Sequence, residues 1–483
     1  MVMVEDARAR VMRGGDETTN ERSLLERLPP EPRAVVDRLG RAFAARDRQL
    51  FLVGGSVRDL LLGQPLADLD FATDALPEET KLAGNAAGAE AVYTVGEKFG
   101  TIGFVFGGLQ VEITTFRQEH YPTPDRRPAV RLGTDIAGDL SRRDFTINAI
   151  ALDAESGALV DPFHGLQDLE RALIRAVGDA GERFQEDPLR ILRAVRFVAQ
   201  LGFTIAPETF SAMRALAPEL ERISRERVAA ELNRLLLGPA APQGLAAARE
   251  AGLLPFALPQ VVPMAEDLGE GRHKDIWEHS LQVVGQAPPR LAVRWAALLH
   301  DAAKPLTRSV DEQGEVHFFG HEWQGANLAR KALRGLKLDK ALTERVALLV
   351  LLHLRPAGYD EDWTDSAVRR LVLEAGALLE DLLDLAAADV TSARPERRRE
   401  ARARVDGLRA HIERLREQHA LEQLQSPLDG NELMALFNRP PGRWIGELKD
   451  YLREMVIEGA LQPGDTVTAL ERARAWMAAN LPE

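Results

Sequence analysis

The segment Phe51–Ala72, FLVGGSVRDLLLGQPLADLDFA, constrains the fold of this chain more than any other. The apolar pair Leu52–Val53 predicts a short buried strand. Gly54 and Gly55 then permit a tight turn whose backbone N–H groups can meet a phosphate. The apolar spacing of Val57–Leu62 predicts a short helix, and the start of a helix favours anions. We therefore expect a strand–turn–helix unit that cradles a triphosphate and leads into a second strand.

Two alternating aspartates, Asp68 and Asp70, close this unit. On a strand such a pair points to one face, with Cα atoms roughly 7 Å apart, and can share two Mg²⁺ ions. Glu112, in the alternating run Leu109–Thr115, is expected to add a third carboxylate from a neighbouring strand. Arg58 is expected to supply positive charge to the triphosphate. This layout is typical of a metal-dependent nucleotidyl transfer site.

These motifs resemble those of the class II tRNA nucleotidyltransferases, the CCA-adding enzymes and their poly(A) polymerase relatives in the DNA polymerase beta superfamily. Ser141–Ala149, SRRDFTINA, resembles the family's second motif, in which a basic residue and an asparagine hold the sugar and triphosphate of the incoming nucleotide. The resemblance gives this role to Arg142, Arg143, Asp144 and Asn148.

A further segment, Glu186–Phe197 (EDPLRILRAVRF), resembles the family motif that reads the base. The resemblance implies that Asp187 and Arg190 offer hydrogen bonds to the Watson–Crick edge of ATP or CTP, and that Arg193 and Arg196 continue the pattern. Asp187 also has the features of a helix cap, and its spacing from Arg190 is that of a helix-stabilising i, i+3 pair. Three arginines on one helical stripe repel one another unless an anion or a carboxylate lies opposite, and a solvated basic face is the alternative.

The stretch between Phe116 and Leu140 is rich in proline, glycine and charge, and predicts a mobile loop. Full CCA-adding members of the family carry a loop here with a basic, proline-containing core, to which Asp125–Pro128 is similar. The order Pro124-Asp125-Arg126 departs from the acidic–Gly–Arg form common in the family. The length of the loop argues against an enzyme that adds only CC.

A series of histidines and aspartates begins beyond about residue 266. Such a mixture suits transition metals better than Mg²⁺ alone, and the series resembles the HD phosphohydrolase domain. The resemblance implies one metal held by His279, His300, Asp301 and Asp389, with His321 and His353 as ligands of a second metal or contacts to phosphate. It also implies hydrolysis of small phosphoesters, such as 2′,3′-cyclic phosphates or RNA ends, although ligands can be retained without a substrate. The remaining histidines are interpreted as surface or structural: His120, His164, His273, His317, His411 and His419.

The predicted fold class is α+β. We expect a small polymerase-beta-like head with a mixed sheet, followed by helical neck, HD and tail regions, because the later sequence is almost entirely at helical spacing. The expected boundaries are a polar N-terminal extension at 1–27, the catalytic head at 28–165, a neck with the nucleotide-selecting motif and an RNA-binding region at 166–265, the HD domain at 266–395, and a tail with possible tRNA contacts at 396–483.

The composition and net charge of the chain limit which partners and which compartment are expected. The chain has no cysteine, which excludes disulfides and thiolate metal sites. It has no signal peptide and no run of about twenty apolar residues, so we expect a soluble, cytoplasmic monomer or homodimer that does not bind membranes. Its net charge is −13, so an RNA partner depends on local clusters of positive charge. The arginine-dense helix predicted at Arg394–Arg416 is either such a cluster or a solvated face, and Trp444 is either a packing anchor or a base-stacking residue.

The predicted function is addition of C, C and A to tRNA 3′ ends from CTP and ATP with Mg²⁺ and without a nucleic-acid template. A possible transition metal is expected in the HD domain. Four alternatives stay open: one half of a split CC-adding and A-adding pair, a poly(A) polymerase, a protein acting mainly as an HD phosphohydrolase, and a non-catalytic RNA-binding protein.

Overall fold

The computed structural model describes residues 22–66, 68–120, 129–132, 135–266, 275–360, 362–391, 394–417, 424–462 and 464–480. The chain forms two compact units, Met1–Pro259 and Gln260–Glu483, which divide near the boundary predicted between neck and HD regions. Several sequence predictions fall outside the described residues: most of the N-terminal extension, the loop core Asp125–Pro128, His273, His419 and the side chain of His120.

The first unit is built on a mixed seven-stranded sheet with the order β3-β4-β5-β2-β1-β8-β9. Neighbouring strands are antiparallel except β2 and β5, which are parallel. This confirms the mixed sheet expected of the head. The strands of this unit are β1 (Leu50–Val53), β2 (Leu69–Thr73), β3 (Ala91–Tyr93), β4 (Thr101–Phe106), β5 (Leu109–Thr115), β6 (Arg117–His120), β7 (Ala129–Leu132), β8 (Ala151–Asp153), β9 (Leu159–Val160), β10 (Leu173–Ile174) and β11 (Thr204–Ile205).

Helices flank the sheet and form the neck that follows it. They are α1 (Arg22–Leu25), α2 (Pro30–Ala44), α3 (Gly55–Leu62), α4 (Pro77–Ala86), α5 (Ile136–Ser141), α6 (Gly165–Glu170), α7 (Ala180–Glu186), α8 (Leu189–Leu201), α9 (Pro207–Leu216), α10 (Arg225–Leu236), α11 (Ala241–Glu250) and α12 (Leu254–Ala257).

The sequence pattern of β1 and β5 explains where each lies in the sheet. All four residues of β1 are buried, as expected for a short apolar run in the middle of a sheet. In β5, burial alternates, so that Val111 and Ile113 enter the core while Glu112 faces the other side. Both predicted strands are therefore present, and Glu112 lies on the predicted face.

The neck is held together by α8, which packs against α10 and α11. Its apolar side is buried, and Gly244 of α11 comes so close that an added Cβ would lie 2.7 Å from the Cβ of Ala199. On the other side, Arg196 of α8 and Glu231 of α10 form an ion pair with Nε and Oε2 2.7 Å apart. Both side chains are less than 10% exposed (9% and 6%), so each charge depends on the other for compensation.

The second unit is helical apart from one short hairpin. Its elements are α13 (Val262–Glu266), α14 (Ile276–Gln286), α15 (Leu291–Leu299), α16 (Lys304–Thr307), β12 (Ser309–Val310), β13 (Val316–His317), α17 (His321–Gly335), α18 (Lys340–Leu352), α19 (Leu354–Ala357), α20 (Asp365–Ala375), α21 (Leu379–Ala388), α22 (Pro395–Glu417), α23 (Gly430–Phe437), α24 (Arg443–Ile457) and α25 (Thr466–Asn480). Trp277 and Trp295 are fully buried in it. Within the described part of the chain, no helix is both long and apolar enough to cross a membrane.

Trp444 belongs to the apolar core of the tail. Its side chain is buried, its indole N–H donates to the carbonyl of Pro440 at 3.1 Å, and its ring meets Phe437 edge to face. The structure therefore supports the interpretation of Trp444 as a packing anchor.

Replacing Glu231 by alanine is expected to lower the free energy of unfolding of the neck by about 3–5 kcal/mol, because Arg196 would keep a buried charge without a partner. All six tryptophans lie in the second unit, so fluorescence does not report on this change. Hydrogen exchange of the peptides that cover α10 measures it directly. Glu221→Ala, at an exposed position nearby, is the control and should change exchange by less than about 0.5 kcal/mol. Equal protection in the two variants would contradict the role given to the pair.

Candidate active site and metal centre

The glycine turn after β1 opens onto the larger site. Gly54 has φ 70°, and an added Cβ would lie 2.7 Å from Nη1 of Arg143, so both the backbone conformation and the space favour glycine. Gly54 and Gly55, at the start of α3, line a cavity of about 540 Å³. The phosphate cradle predicted from the sequence would lie at this helix start.

Two of the three predicted carboxylates, those of Asp70 and Glu112, line this cavity. Asp70 in β2 and Glu112 in β5 are directly opposite each other in the parallel pair. Asp68 lies one residue before β2. The sequence had predicted that Asp68 and Asp70 lie on the same strand, and the structure differs in this respect. Ser56, at the start of α3, fixes this segment, because its hydroxyl donates to the carbonyl of Asp68 at 3.1 Å and accepts the N–H of Asp70 at 3.0 Å. The sequence reasoning missed Ser56, whose only signal was its place in the glycine turn.

Electrostatic effects show that the three carboxylates act on one another. Burial raises the pKa of Asp70, Glu112 and Asp68 raise it further, and Arg143 opposes them. Burial and the same three carboxylates raise the pKa of Tyr93. Such crowding of negative charge favours a bound cation.

Tyr93 is a second residue that the sequence reasoning missed. It is aligned with Gly103, Glu112 and Asp70 across four adjacent strands. Its ring covers Gly103, where an added Cβ would lie 1.9 Å from the ring. No local pattern in the sequence pointed to Tyr93, because the pairing of β3 with β4 decides its position.

Asp144 is the centre of the hydrogen-bond network behind the cavity. Its carboxylate accepts two bonds from Arg193, at 2.7 and 2.6 Å, and one from the Asn148 amide at 3.0 Å. Burial alone would raise the pKa of Asp144, but Arg193, the Asn148 amide and the N–H of Phe145 lower it to about 2. Asn148 in turn accepts a bond from Arg58 at 2.7 Å. Three separate segments of the chain are thus held together by one chain of bonds.

The other predicted arginines of the site are also paired. Arg58 makes two bonds to Asp59, and Arg142 and Arg143 bond Asp139. Arg190 donates to Glu186 at 2.7 Å and to the carbonyl of Arg142 at 2.8 Å. With Arg193 on Asp144 and Arg196 on Glu231, the predicted arginine stripe is a set of compensated charges and not a solvated face.

Asp187 and Arg190 do not pair with each other as their spacing suggested. Asp187 accepts the N–H of Leu189 at 3.2 Å, as a cap does, and pairs with Arg227 of α10 at 2.8 Å. Both Asp187 and Arg190 border the cavity. Their side chains are therefore held in fixed positions at its edge.

Nine arginines and four acidic residues line the cavity, so it suits a polyanion. The sequence reasoning did not assign three of these arginines, which come from a strand after the head motif and from α10: Arg117, Arg227 and Arg234. The signal for Arg227 and Arg234 was the basic character of the neck helix, but only the packing of α10 brings them to the cavity.

The second site is the histidine and aspartate cluster of the second unit, and it brings together all six predicted ligands. They form two groups whose ligand atoms lie within 4.8 Å of one another: His279, His300 and Asp389, and Asp301, His321 and His353. Among the described residues, these two groups are the ones in which three ligand atoms lie this close together. The carboxylates of the head do not form such a group, so they are more widely spaced.

Three imidazole rings of this cluster make the same kind of hydrogen bond through Nδ1. Nδ1 of His300, His321 and His353 lies 2.9, 2.7 and 2.6 Å from the carbonyls of Ala297, Phe318 and Val350, respectively. A carbonyl only accepts, so each Nδ1 carries a proton, and Nε2 is the ring atom left to bind a metal in place of a proton. Metal binding through Nε2 requires this arrangement.

Buried atoms without partners also fit a metal. Asp301 Oδ1, His321 Nε2 and His353 Nε2 are buried, and none of them has a hydrogen-bond partner among the residues that the structure describes. Oδ1 of Asp301 lies 3.5 Å from His321 Nε2 and 3.8 Å from His353 Nε2, so the three orphaned atoms face one another. Buried polar atoms are seldom left unpaired, and mixed imidazole and carboxylate donors suit a divalent transition metal.

The carboxylates control the charge of the cluster. Burial lowers the pKa of His300, but Asp301 and Asp389 outweigh it and raise the pKa to about 9. Burial and the charge of His300 lower the pKa of His353 to about 4. The cluster therefore attracts positive charge, which a metal ion would supply in place of the proton.

The fold and the two sites define a nucleotidyltransferase head and neck followed by an HD domain. Family models match in the same order: the Poly A polymerase head domain at residues 50–175, the probable RNA and SrmB-binding site of polymerase A at 202–264, and the HD domain at 267–394. The nucleotidyltransferase fold implies dependence on divalent metal ions.

Known proteins resemble the chain over most of its length. The CCA-adding enzyme of Enterococcus faecalis (strain ATCC 700802 / V583) is 32% identical over 87% of this chain and 91% of its own. The A-adding tRNA nucleotidyltransferase of Deinococcus radiodurans is 37% identical over 83% and 90%. The CCA-adding enzyme of Streptococcus pneumoniae (strain CGSP14) is 49% identical over 42% of this chain, and this match spans only half of its own length.

A solved structure extends the likeness to the fold. The crystal structure of the Bacillus stearothermophilus CCA-adding enzyme in complex with CTP has a TM-score of 0.69 and 29% identity, and the match covers 94% of this chain and 100% of that one. The chain belongs to the tRNA nucleotidyltransferase family that includes the CCA-adding enzymes.

Replacing His300 by alanine is expected to weaken transition-metal binding by at least about 10–100-fold, since the change removes a ligand and not merely its support. Metal content after gel filtration, measured by plasma mass spectrometry, tests this. His317→Ala is the matched control, because His317 bonds Asp311 outside the cluster. Circular dichroism would show whether His300→Ala keeps its fold. A folded variant with the metal content of the control would refute the assignment.

Proposed function

We propose that the first unit adds C, C and A to tRNA 3′ ends, using CTP and ATP and no nucleic-acid template. The observation that carries this proposal is one cavity in which the glycine turn, two facing carboxylates and nine arginines meet. A cationic cavity with an acidic wall suits a nucleoside triphosphate and a divalent cation together. The full-length relationship to CCA-adding enzymes supports the same activity.

In the proposed reaction the terminal ribose hydroxyl of tRNA attacks the α-phosphate of the nucleotide. A new O–P bond forms, the bond to pyrophosphate breaks, and the hydroxyl proton passes to solvent. Asp68, Asp70 and Glu112 would hold Mg²⁺, which supplies neutralising charge at the phosphates when it is bound. The backbone N–H groups at Gly54 and Gly55, together with Arg143, would orient the triphosphate.

The network around Asp144 would position the nucleotide. Arg58 would supply positive charge to the triphosphate. Because it is bound to Asp59 and Asn148, it would also hold Asn148 at the sugar. Arg142 closes the same wall through Asp139. The preset geometry means that the site does not have to order these side chains when the nucleotide binds.

Asp187 and Arg190 would select the base. Arg227 restrains Asp187 and Glu186 restrains Arg190, and both Asp187 and Arg190 line the cavity. A fixed set of donors and acceptors can distinguish C and A from U and G, because a wrong base leaves polar groups unpaired. Arg193 and Arg196 would support this edge from behind.

We also infer that the second unit is a metal-dependent phosphohydrolase. The observation in its favour is the set of three orphaned buried atoms at Asp301, His321 and His353, a costly arrangement without an ion. In the proposed hydrolysis, the oxygen of water bonds to phosphorus, the P–O ester bond breaks, and a water proton passes to the leaving oxygen.

The experiment that tests the main proposal uses tRNA transcripts ending in the discriminator base, in C or in CC, with labelled CTP and ATP singly and together. Completion of CCA on all three transcripts is the expected result. Addition that stops after CC, or extension of the CC-ended transcript alone, would identify one half of a split pair instead. Repeated addition of A would identify a poly(A) polymerase.

Replacing Asp70 by asparagine is expected to lower the rate of nucleotide addition by at least about 10³-fold, since the charge that holds the cation is removed. Asp74→Asn is the matched control, because Asp74 lies just past the other end of β2 and accepts the N–H of Gln49. His300→Ala should leave addition unchanged. Full activity of Asp70→Asn with Mg²⁺ would show that the carboxylate assignment is wrong.

A further inference from the structure

The arginine-rich helix α22 does not have one role along its length. In its C-terminal half, Arg409 pairs with Glu380 and Asp384, and Arg414 pairs with Asp365. These bonds attach the helix to α20 and α21. In its N-terminal half, Arg397 and Arg404 instead line the cavity of the HD site, which has a volume of about 460 Å³.

Arg397 and Arg404 share one face of α22. They are seven residues apart, and Ala401 lies between them on the same face and also lines the cavity. Both arginines are exposed, and among the described residues neither has a hydrogen-bond or ion-pair partner. A small residue between two free guanidinium groups leaves room for a ligand to lie along the helix.

The position of these arginines relative to the metal cluster indicates their role. His279, Asp301 and Asp389 line the same cavity as the two arginines, and so does Lys304. Lys304 is already bound to Asp301 at 2.6 Å, so the arginines are the uncommitted positive charges at this cavity among the described residues. Two positions seven residues apart lie about 10 Å apart along a helix, which allows contact with more than one phosphate.

Exposed aromatic rings lie next to the cavity in the sequence. Phe318 lines it, and Phe319, which is 77% exposed, stacks on His317 with ring centroids 5.0 Å apart. Trp323 is 65% exposed, two residues after the ligand His321. Arginines together with exposed aromatic rings are the chemistry that binds single-stranded nucleic acid.

We propose that Arg397 and Arg404 bind the non-reacting phosphates of a single-stranded oligonucleotide whose terminal phosphate lies at the HD metal centre. The preferred substrate is then an oligonucleotide end and not a mononucleotide or a simple phosphomonoester. This inference rests on the phosphohydrolase activity proposed above, and it assigns its substrate class.

The test compares a trinucleotide that carries a 3′-phosphate with a nucleoside 3′-phosphate as substrates of the full-length protein loaded with metal. The double variant Arg397→Ala/Arg404→Ala should lose about tenfold in kcat/KM for the trinucleotide and keep its value for the mononucleotide. About 0.7 counterions are released per phosphate contact on a single strand. The slope of log KM for the trinucleotide against log salt concentration should therefore be smaller by about 1.4 in the double variant, which lacks two such contacts. The matched control is Arg398→Ala/Arg402→Ala, two charges on the same helix, of which Arg402 lines a separate groove.

The possible results distinguish a failure of the oligonucleotide assignment from a failure of the phosphohydrolase proposal. An equal loss for both substrates would show that the arginines serve the reacting phosphate, and an equal loss in the control would show a general effect of charge; either outcome overturns the oligonucleotide assignment. If the wild-type protein hydrolyses neither substrate, the phosphohydrolase proposal fails. Fluorescence anisotropy of a labelled trinucleotide then reports on the arginines alone: weaker binding by the double variant than by the control supports the binding site, and equal binding overturns it.

Discussion

The arrangement of the first site depends on the bonds made by one buried carboxylate, that of Asp144. It binds Arg193 of the neck helix and Asn148 of the head, and Asn148 holds Arg58 beside the glycine turn. Because its folded-state pKa is lowered from 3.8 to about 2, this contribution to stability is present above 3.8 and is lost as the pH falls through about 2. Near neutral pH Asp144 is charged, so its ion pair with Arg193 is intact.

The two sites use positive charge in different ways. In the head cavity most arginines are compensated by carboxylates or carbonyls, which fixes their geometry and reduces their mutual repulsion. At the HD cavity Arg397 and Arg404 are exposed and unpaired within the described part of the chain. A fixed set of paired charges suits selection among similar nucleotides, whereas free charges on a helix suit a flexible phosphate chain.

Much of the site was predictable because its motifs are local. The glycine turn, the helix after it and the carboxylate-bearing strand lie within one short segment, and the alternation around Glu112 is a direct consequence of strand geometry. Pairing partners were less predictable. The spacing of Asp187 and Arg190 suggested a mutual bond, but the packing of α7 and α10 supplied Glu186 and Arg227 as better placed partners. Ser56 and Tyr93 were missed for the same reason, since their contacts come from tertiary structure.

The sequence by itself determined the α+β class, because strand alternation and helical spacing are local properties. Its motifs also carried the resemblance that implied the order of head, neck and HD regions and the six candidate metal ligands. The tertiary structure alone decided which charges are compensated and which are free. It buried Arg196 against Glu231, and it divided α22 into a half that pairs with its neighbours and a half that faces the HD cavity. Such differences depend on which residues from distant segments meet, and no local pattern along the chain specifies them.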